Sequence, residues 1–197
     1  QISLKERYLL NSFILKNAFE IGSPPSLEQK KSFLWVGSSQ LLKQPSLFLK
    51  MAQNMPQESF VMIMPKHNRA LWDTIKNEAS FIQNLTFIEK VPFQKINHYF
   101  AKAKFLINTS QYEGFPNTFI QAAMSCTPIL SLIVNPDEFL NNNHCGFSCH
   151  GDINFMIEKA SELSKNNLLW EKMCENAFIY AKLNHDININ VQKIIPF

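Results

Sequence analysis

Between Ser32 and Val134, short apolar runs alternate with segments of helical length, and this rhythm restricts the possible folds more than any other property of the 197 residues. The runs are SFLWVG at 32–37, FVMIM at 60–64, LTFI at 85–88, FLIN at 105–108 and the stretch from Ile129 to Val134. Residues 45–54, 69–79, 93–103 and 116–125 fill the gaps with helical patterns. Strands alternating with crossover helices imply a parallel sheet covered on both faces. Strands buried on both sides read as continuous apolar runs rather than as a polar–apolar alternation, and these do. The expected architecture is α/β, a Rossmann-like parallel sheet flanked by helices.

The ends of the chain differ from this core. Residues 1–31 open with an amphipathic stretch from Leu4 to Leu15 and continue through Gly22-Ser-Pro-Pro-Ser26 to Lys30-Lys31. They read as a connection entering a domain that occupies 32–197. After Val134 a polar stretch with Asn135-Pro-Asp-Glu138 and Asn141-Asn-Asn-His144 precedes a short segment at 146–148. Helical patterns follow at 154–164 and 168–184, with a third piece at 187–194.

With 46% hydrophobic and 18% charged residues, the chain suits one globular domain with a sizeable core. A formal charge of +3 is too small and too dispersed to indicate nucleic acid, and leaves an anionic ligand or an anionic membrane surface open. There is no apolar run near the ~18 residues that span a membrane, nor a signal-peptide layout, so a cytoplasmic protein is expected. The cysteines at 126, 145, 149 and 174 have no framework spacing, and reduced thiols are the expectation.

Ligands of open parallel sheets settle at the carboxyl ends of the strands. Gly37-Ser38-Ser39, Pro65-Lys66-His67-Asn68, Val91-Pro92-Phe93 and Glu113-Gly114 all follow predicted strands and are expected to share one edge. The richest of these is 112–123, Tyr-Glu-Gly-Phe-Pro-Asn-Thr-Phe-Ile-Gln-Ala-Ala. Pro116 suits a first helical turn, and Asn117 and Thr118 stand beside backbone N–H groups that a helix leaves unpaired, a natural seat for phosphate. Gln121 lies close in azimuth to Asn117 and Thr118, so the three can face one ligand. Gly37 permits close backbone approach, and Lys43, six residues on, can reach an anion above the loop. Taken alone, Gly37 is a turn and Lys43 a solvated lysine; Glu113 reads either as a surface carboxylate near a helix start or as an acceptor for two sugar hydroxyls. Their combination points to a diphosphate bearing a sugar. His67 and Lys66 read as phosphate or ribose contacts.

Other chemistries find less support. His144, Cys145, Cys149 and His150 lack the paired spacing of a structural zinc site. Neither G-x-S-x-G nor G-x-G-x-x-G occurs, which argues against a serine hydrolase and a dinucleotide-binding dehydrogenase.

In order along the chain, these features resemble the retaining glycosyltransferases of group 1, the family-four type with the GT-B architecture. The resemblance runs from about Asn17 to Val191. Phe33-Leu-Trp-Val-Gly37 with Lys43 and Pro45 is similar to the family's V-G-R-x4-K-G-P segment. The stretch from Tyr112 to Pro128 is similar to its S-x-x-E-G-F-P-N-x-x-x-E-A-M-A-x-G-x-P signature, and Trp170, Met173, Asn176-Ala177, Tyr180 and His185-Asp186 are similar to its terminal helices. The resemblance implies the C-terminal, donor-binding half of a GT-B fold, with residues 1–31 as the interdomain connection and the acceptor-binding N-terminal domain absent.

It further implies a catalytic carboxylate, Glu113, on the donor sugar hydroxyls, a diphosphate held by Lys43 and the backbone of Gly114, Phe115, Pro116, Asn117 and Thr118, and a base bordered by Val91. Gly37 and Ser38 would approach the phosphates, and Gln121 the ribose. No metal or other cofactor is implied beyond the nucleoside diphosphate sugar as donor substrate. The acceptor would be a saccharide or a lipid-linked saccharide, which leaves peripheral association with the inner face of a membrane open. Four places depart from the family pattern: Ser38 stands in place of an arginine, Gln44 of a glycine, Gln121 of a glutamate and Ser125-Cys126-Thr127 of A-C-G-T. An amide forms weaker hydrogen bonds than a carboxylate, and serine lacks arginine's fixed fork and charge, with Lys66 as a candidate replacement. The expected function is therefore retaining sugar transfer in surface polysaccharide synthesis, with a non-catalytic nucleotide-sugar-binding module as the alternative.

Overall fold

A computed structural model describes residues 15–192. Six strands, β1 (Ser32–Val36), β2 (Ser59–Ile63), β3 (Leu85–Ile88), β4 (Ala103–Asn108), β5 (Ile129–Ser131) and β6 (Gly146–Ser148), form one sheet. Its order is β3-β2-β1-β4-β5-β6, and every pairing is parallel. The helices are α1 (Pro45–Asn54), α2 (Arg69–Ala79), α3 (Phe93–Lys102), α4 (Asn117–Met124), α5 (Phe139–Asn142), α6 (Ile153–Lys165), α7 (Asn167–His185) and α8 (Ile187–Gln192).

The strands sort their side chains onto two apolar layers, as a pleat with period two requires. Phe33 and Trp35 of β1 pack with α1, α2 and α6, whereas Leu34 packs on the opposite face with α3 and α4. At the centre, the Phe33 ring lies 5.0 Å from Phe60 and 5.4 Å from Phe105, its register partners on the two neighbouring strands. Aromatic pairs at such spacing add to the burial of their area.

β1 is followed by β2 on one side and flanked by β4 on the other. The chain therefore leaves the carboxyl ends of β1 and β4 in diverging directions, which opens a crevice at the switch point.

The element boundaries depart from the sequence reading where hydrogen bonds overrule apolarity. The run from Ile129 to Val134 pairs only as far as Ser131, because the Leu132 carbonyl then accepts the N–H of Gly151 instead of continuing the ladder. The polar stretch after Val134 contains a helical turn, Pro136–Glu138, and α5, whose Phe139 and Leu140 are buried. The amphipathic stretch ending at Leu15 lies outside the described residues except for Leu15 itself, as do positions 193 and 194 of the last helical piece.

Residues 15–31 carry no helix or strand, yet they are fastened to the domain. Phe19 donates to the His185 carbonyl and accepts from Ile187 N, at 2.8 and 3.0 Å. Lys30, which the sequence places in an ordinary linker, is buried: its ammonium donates to Ser125 O and Thr127 Oγ1, both at 2.7 Å, and to Ala103 O at 3.2 Å.

Burial pushes the Lys30 amine down to about 8, against the opposing influence of Cys174 and Cys126. An unfolded lysine keeps its proton to about pH 10.4, so above pH 8 the unfolded chain binds more protons and stability rises, by at most about 1.4 kcal/mol per pH unit. Burial also pushes the thiols of Cys145, Cys149 and Cys174 up to about 12, and the unfolded thiols ionise first, so their contribution falls as the pH passes 9. Urea midpoints measured from pH 7 to 10 are expected to peak between 8 and 9, and Lys30→Met to remove the rise.

Gln44 ends the helical turn Leu41–Lys43 and precedes Pro45 at the start of α1 with φ 45° and ψ 53°, the left-handed region. A side chain costs about 1–2 kcal/mol there. Gln44→Gly is expected to raise unfolding stability by about 1 kcal/mol, once the greater freedom of glycine in the unfolded chain is deducted.

Candidate functional site

A cavity of about 690 Å³ opens at the switch point, within the range of small-ligand sites. The turn after β1 supplies Gly37, Ser38, Gln40 and Lys43; the β3–α3 loop supplies Lys90, Val91, Pro92 and Phe93. The opposite wall is Glu113 with Pro116, Asn117, Thr118 and Gln121. Nine of the positions singled out in the sequence thus share one concavity.

The loops after β1 and β4 are held together by a short polar chain. Buried Trp35 donates its indole N–H to Thr109 Oγ1 at 2.9 Å, and the Thr109 hydroxyl donates to the Lys43 carbonyl at 2.6 Å. The Gln111 N–H donates to the Leu42 carbonyl at 2.9 Å. Lys43 is thereby fixed opposite Glu113, and the two side chains pair at 2.8 Å with 23% and 17% of their surface exposed. The second Glu113 oxygen, Oε1, accepts from Asn108 Nδ2 at 2.9 Å. Burial pushes the Glu113 carboxyl up, but hydrogen bonds from Lys43, Ser110 and Asn108, together with the Lys43 charge, outweigh it and hold the group below its ordinary value. Glu113 is therefore ionised near neutrality.

The helix starts differ in how they are capped. Asn68, Asp152 and Asn166 cap α2, α6 and α7 with their side chains, at 2.8–3.2 Å. No side-chain cap closes α3 or α4, whose first residues line the cavity. Their leading N–H groups and the helix dipole favour an anion at that point.

Four candidate positions lie outside the cavity wall: Lys66, His67, Gly114 and Phe115. His67 is exposed, and its backbone N–H donates to Ser39 Oγ at 2.8 Å. Lys66 extends over the Trp72 ring, 4.0 Å from its centre, and its ammonium is 3.9 Å from Asp73. Phe115 turns its ring toward Phe139 and His185, at 5.2 and 5.3 Å. Gly114 is exposed, and a Cβ there would meet nothing within 4 Å. Gly37 does line the cavity, but packing also demands it: a Cβ would approach the Trp35 ring to 2.9 Å.

Sequence reasoning misses Lys90 and Asn108. Lys90 is an exposed lysine beside Val91 and brings a second cation to the cavity, where Lys66 does not. Its signal is present in the sequence, since it follows a strand as Lys66 does. Asn108 reads as the last residue of a strand, and no sequence signal shows that its amide faces Glu113.

Gln121 is 8% exposed and donates its amide N–H to Asn97 Oδ1 on α3 at 3.3 Å. That bond leaves the Gln121 carbonyl oxygen to accept, as a carboxylate in its place would.

A second cavity, about 420 Å³, lies at the far edge of the sheet beside His144, His150 and Lys172. It lacks both a carboxylate and an uncapped helix start, which leaves the switch-point cavity as the candidate site. The zinc-like cluster is split, with Cys145 and Cys149 buried in the core and His144 and His150 exposed. Among the described residues no group of three His, Cys, Asp or Glu side chains is placed to hold a metal ion. Nor is any helix among them long and apolar enough to cross a membrane.

The sequence model of the family described as "Glycosyl transferases group 1" matches residues 30–166. A search of the curated proteins finds no match. Among solved structures, a mutant of S. aureus TarM in complex with fondaparinux, alpha-GlcNAc-glycerol and UDP superimposes with a TM-score of 0.77 at 18% identity, over 98% of this chain and 41% of that one. A glycosyltransferase from Rickettsia africae ESF-5 gives 0.74 at 15% identity, over 98% and 59%. The pneumococcal O-GlcNAc transferase GtfA, in complex with UDP and GlcNAc, gives 0.66 at 13% identity, over 91% and 38%. At these identities the likeness is one of fold, that of GT-B glycosyltransferases, and the chain spans about two fifths of the TarM structure.

Proposed function

We propose, because this chain belongs to the group 1 glycosyl transferases, that its switch-point cavity binds a nucleoside diphosphate sugar and supports transfer of the sugar to an acceptor. The observation that carries this reading is the Lys43–Glu113 pair at the rim of a cavity into which α4 presents an uncapped N-terminus. The cation and the helix N–H groups suit a diphosphate, and the ionised carboxylate suits sugar hydroxyls. The base would lie against Val91, Pro92 and Phe93, and the ribose between them and the phosphates, within reach of Gln121.

When the bond between the sugar and the diphosphate breaks, negative charge grows on the leaving oxygen. Preorganised donors aimed there lower the barrier without reorganising at the moment of reaction. Lys43, Lys90 and the N–H groups at Asn117 and Thr118 are the donors this chain offers, and we assign the leaving-group charge to them rather than to a metal. The partners of Glu113 are Lys43, Asn108 and Ser110, and we assign none of them as a nucleophile, which suits transfer with retention through attack from the leaving-group face. The acceptor, a saccharide or a lipid-linked saccharide of a surface polysaccharide, would be held by a second lobe facing the cavity. Residues 15–31, fastened beside the end of α7, would form part of the connection to that lobe. Such a reaction belongs in the cytoplasm, at a membrane surface when the acceptor is lipid-linked.

A second reading, binding without turnover, draws support from the reduced charge of the site. Ser38 is neutral, and the cation that faces the carboxylate is already paired with it. Calorimetry of this chain with UDP, GDP and ADP and with their sugar conjugates tests the common premise: one family of nucleotides is expected to bind, and failure of all of them removes both readings. Release of nucleoside diphosphate from the bound donor, assayed with acceptor and with both lobes present, then separates transfer from binding.

A further inference from the structure

We infer that Asn108 is a positioning residue, which keeps the Glu113 carboxylate in the sugar subsite while Lys43 is drawn away to the diphosphate; this rests on the nucleotide-sugar reading above. Asn108 is the last residue of β4, and 7% of it is exposed. Its amide has one possible orientation. The Oδ1 atom accepts the Ser110 N–H at 3.1 Å and lies 3.4 Å from the Ser131 hydroxyl, which donates to it. The Nδ2 atom must then face outward, where it donates to Glu113 Oε1 at 2.9 Å, with Ser110 Oγ at 3.5 Å.

The two Glu113 oxygens therefore have partners of different kinds. Oε2 is held by Lys43, a cation on a flexible stem that any incoming phosphate competes for. Oε1 is held by a neutral amide whose other end is fixed to the loop after β4 and to β5. When a diphosphate takes the ammonium, the carboxylate loses its charged partner and keeps the neutral ones, Asn108 and Ser110. Without Asn108 it would keep only the rotatable Ser110 hydroxyl, and the side chain would regain rotamer freedom that a sugar would have to freeze again. Each oxygen of the anchored carboxylate also retains acceptor capacity for a ligand hydroxyl. Lys43 and Lys90 are the charged side chains on the cavity wall around Glu113, and the remaining side chains about Asn108, those of Ser110 and Ser131, are neutral.

The test compares UDP with UDP-N-acetylglucosamine by calorimetry, or the equivalent GDP or ADP pair if that base is preferred. In Asn108→Ala, affinity for the bare diphosphate is expected to stay within about twofold, while affinity for the sugar conjugate falls about tenfold, the effect of one hydrogen bond to a charged group. Retained diphosphate binding reports an intact fold in the same experiment. Asn108→Asp supplies a readout that loss of structure cannot imitate. At pH 8 it sets a second carboxylate against Glu113 and repels it, whereas toward pH 5 the pair shares one proton and the hydrogen bond returns. Sugar-conjugate binding by Asn108→Asp is therefore expected to recover in acid, while the parent chain shows no such recovery. Equal losses for diphosphate and conjugate in Asn108→Ala, no loss for either, or an Asn108→Asp variant insensitive to pH would each overturn the positioning role and leave the nucleotide site standing. A parent chain that binds none of these nucleotides would remove the site itself.

Discussion

Lys43→Met is expected to weaken nucleoside diphosphate binding by about 10- to 100-fold, the equivalent of about 1.5–3 kcal/mol for hydrogen bonds to a charged group. Methionine keeps the length of the stem and removes the ammonium, so the loss reports charge rather than packing. The same substitution strips Glu113 of its 2.8 Å partner. Burial, which already pushes that carboxyl up, would then be opposed only by Asn108 and Ser110, and its titration is expected to move toward neutral pH. Calorimetry in low and high salt checks the contribution of charge, since the variant should lose part of the salt dependence of the parent. Unchanged affinity would mean that Lys43 serves the fold by pairing with Glu113 and does not touch phosphate.

Phe33→Ala is the largest loss of stability expected from a single change, about 3–5 kcal/mol in urea or thermal unfolding. Phe33 is fully buried on the interior strand β1, stacked between Phe60 and Phe105. Truncation removes both ring contacts and leaves a void that three hydrogen-bonded strands cannot close, because their spacing is held near about 4.8 Å. A loss below about 2 kcal/mol would show that the aromatic ladder relaxes far more than a parallel sheet should.

The Phe33 ladder is legible in the sequence, because FLWV, FVMI and FLIN are apolar at nearly every position, and only strands covered on both faces need that. The α4 signature is equally legible, because Glu113, Gly114 and Pro116 follow a strand and open a helix. Lys66 and Lys90 show where legibility stops. Both follow strands, on adjacent loops, yet Trp72 draws one lysine onto its ring and the cavity wall includes the other. Which way a long flexible side chain turns depends on a neighbour that local sequence does not show.

Local patterning was enough to set the order of strands and helices, the apolar layers and the single edge on which Gly37, Lys43, Val91 and Glu113 gather, because periodicity and turn chemistry act over a few residues. Only packing in three dimensions made Lys43 and Glu113 neutralise one another, set Asn108 behind the carboxylate and buried Lys30 against the ends of α3 and α4. Those outcomes depend on contacts between residues separated by as much as 97 positions, such as the Lys30 and Thr127 pair, and on the low local dielectric that gives such contacts their strength.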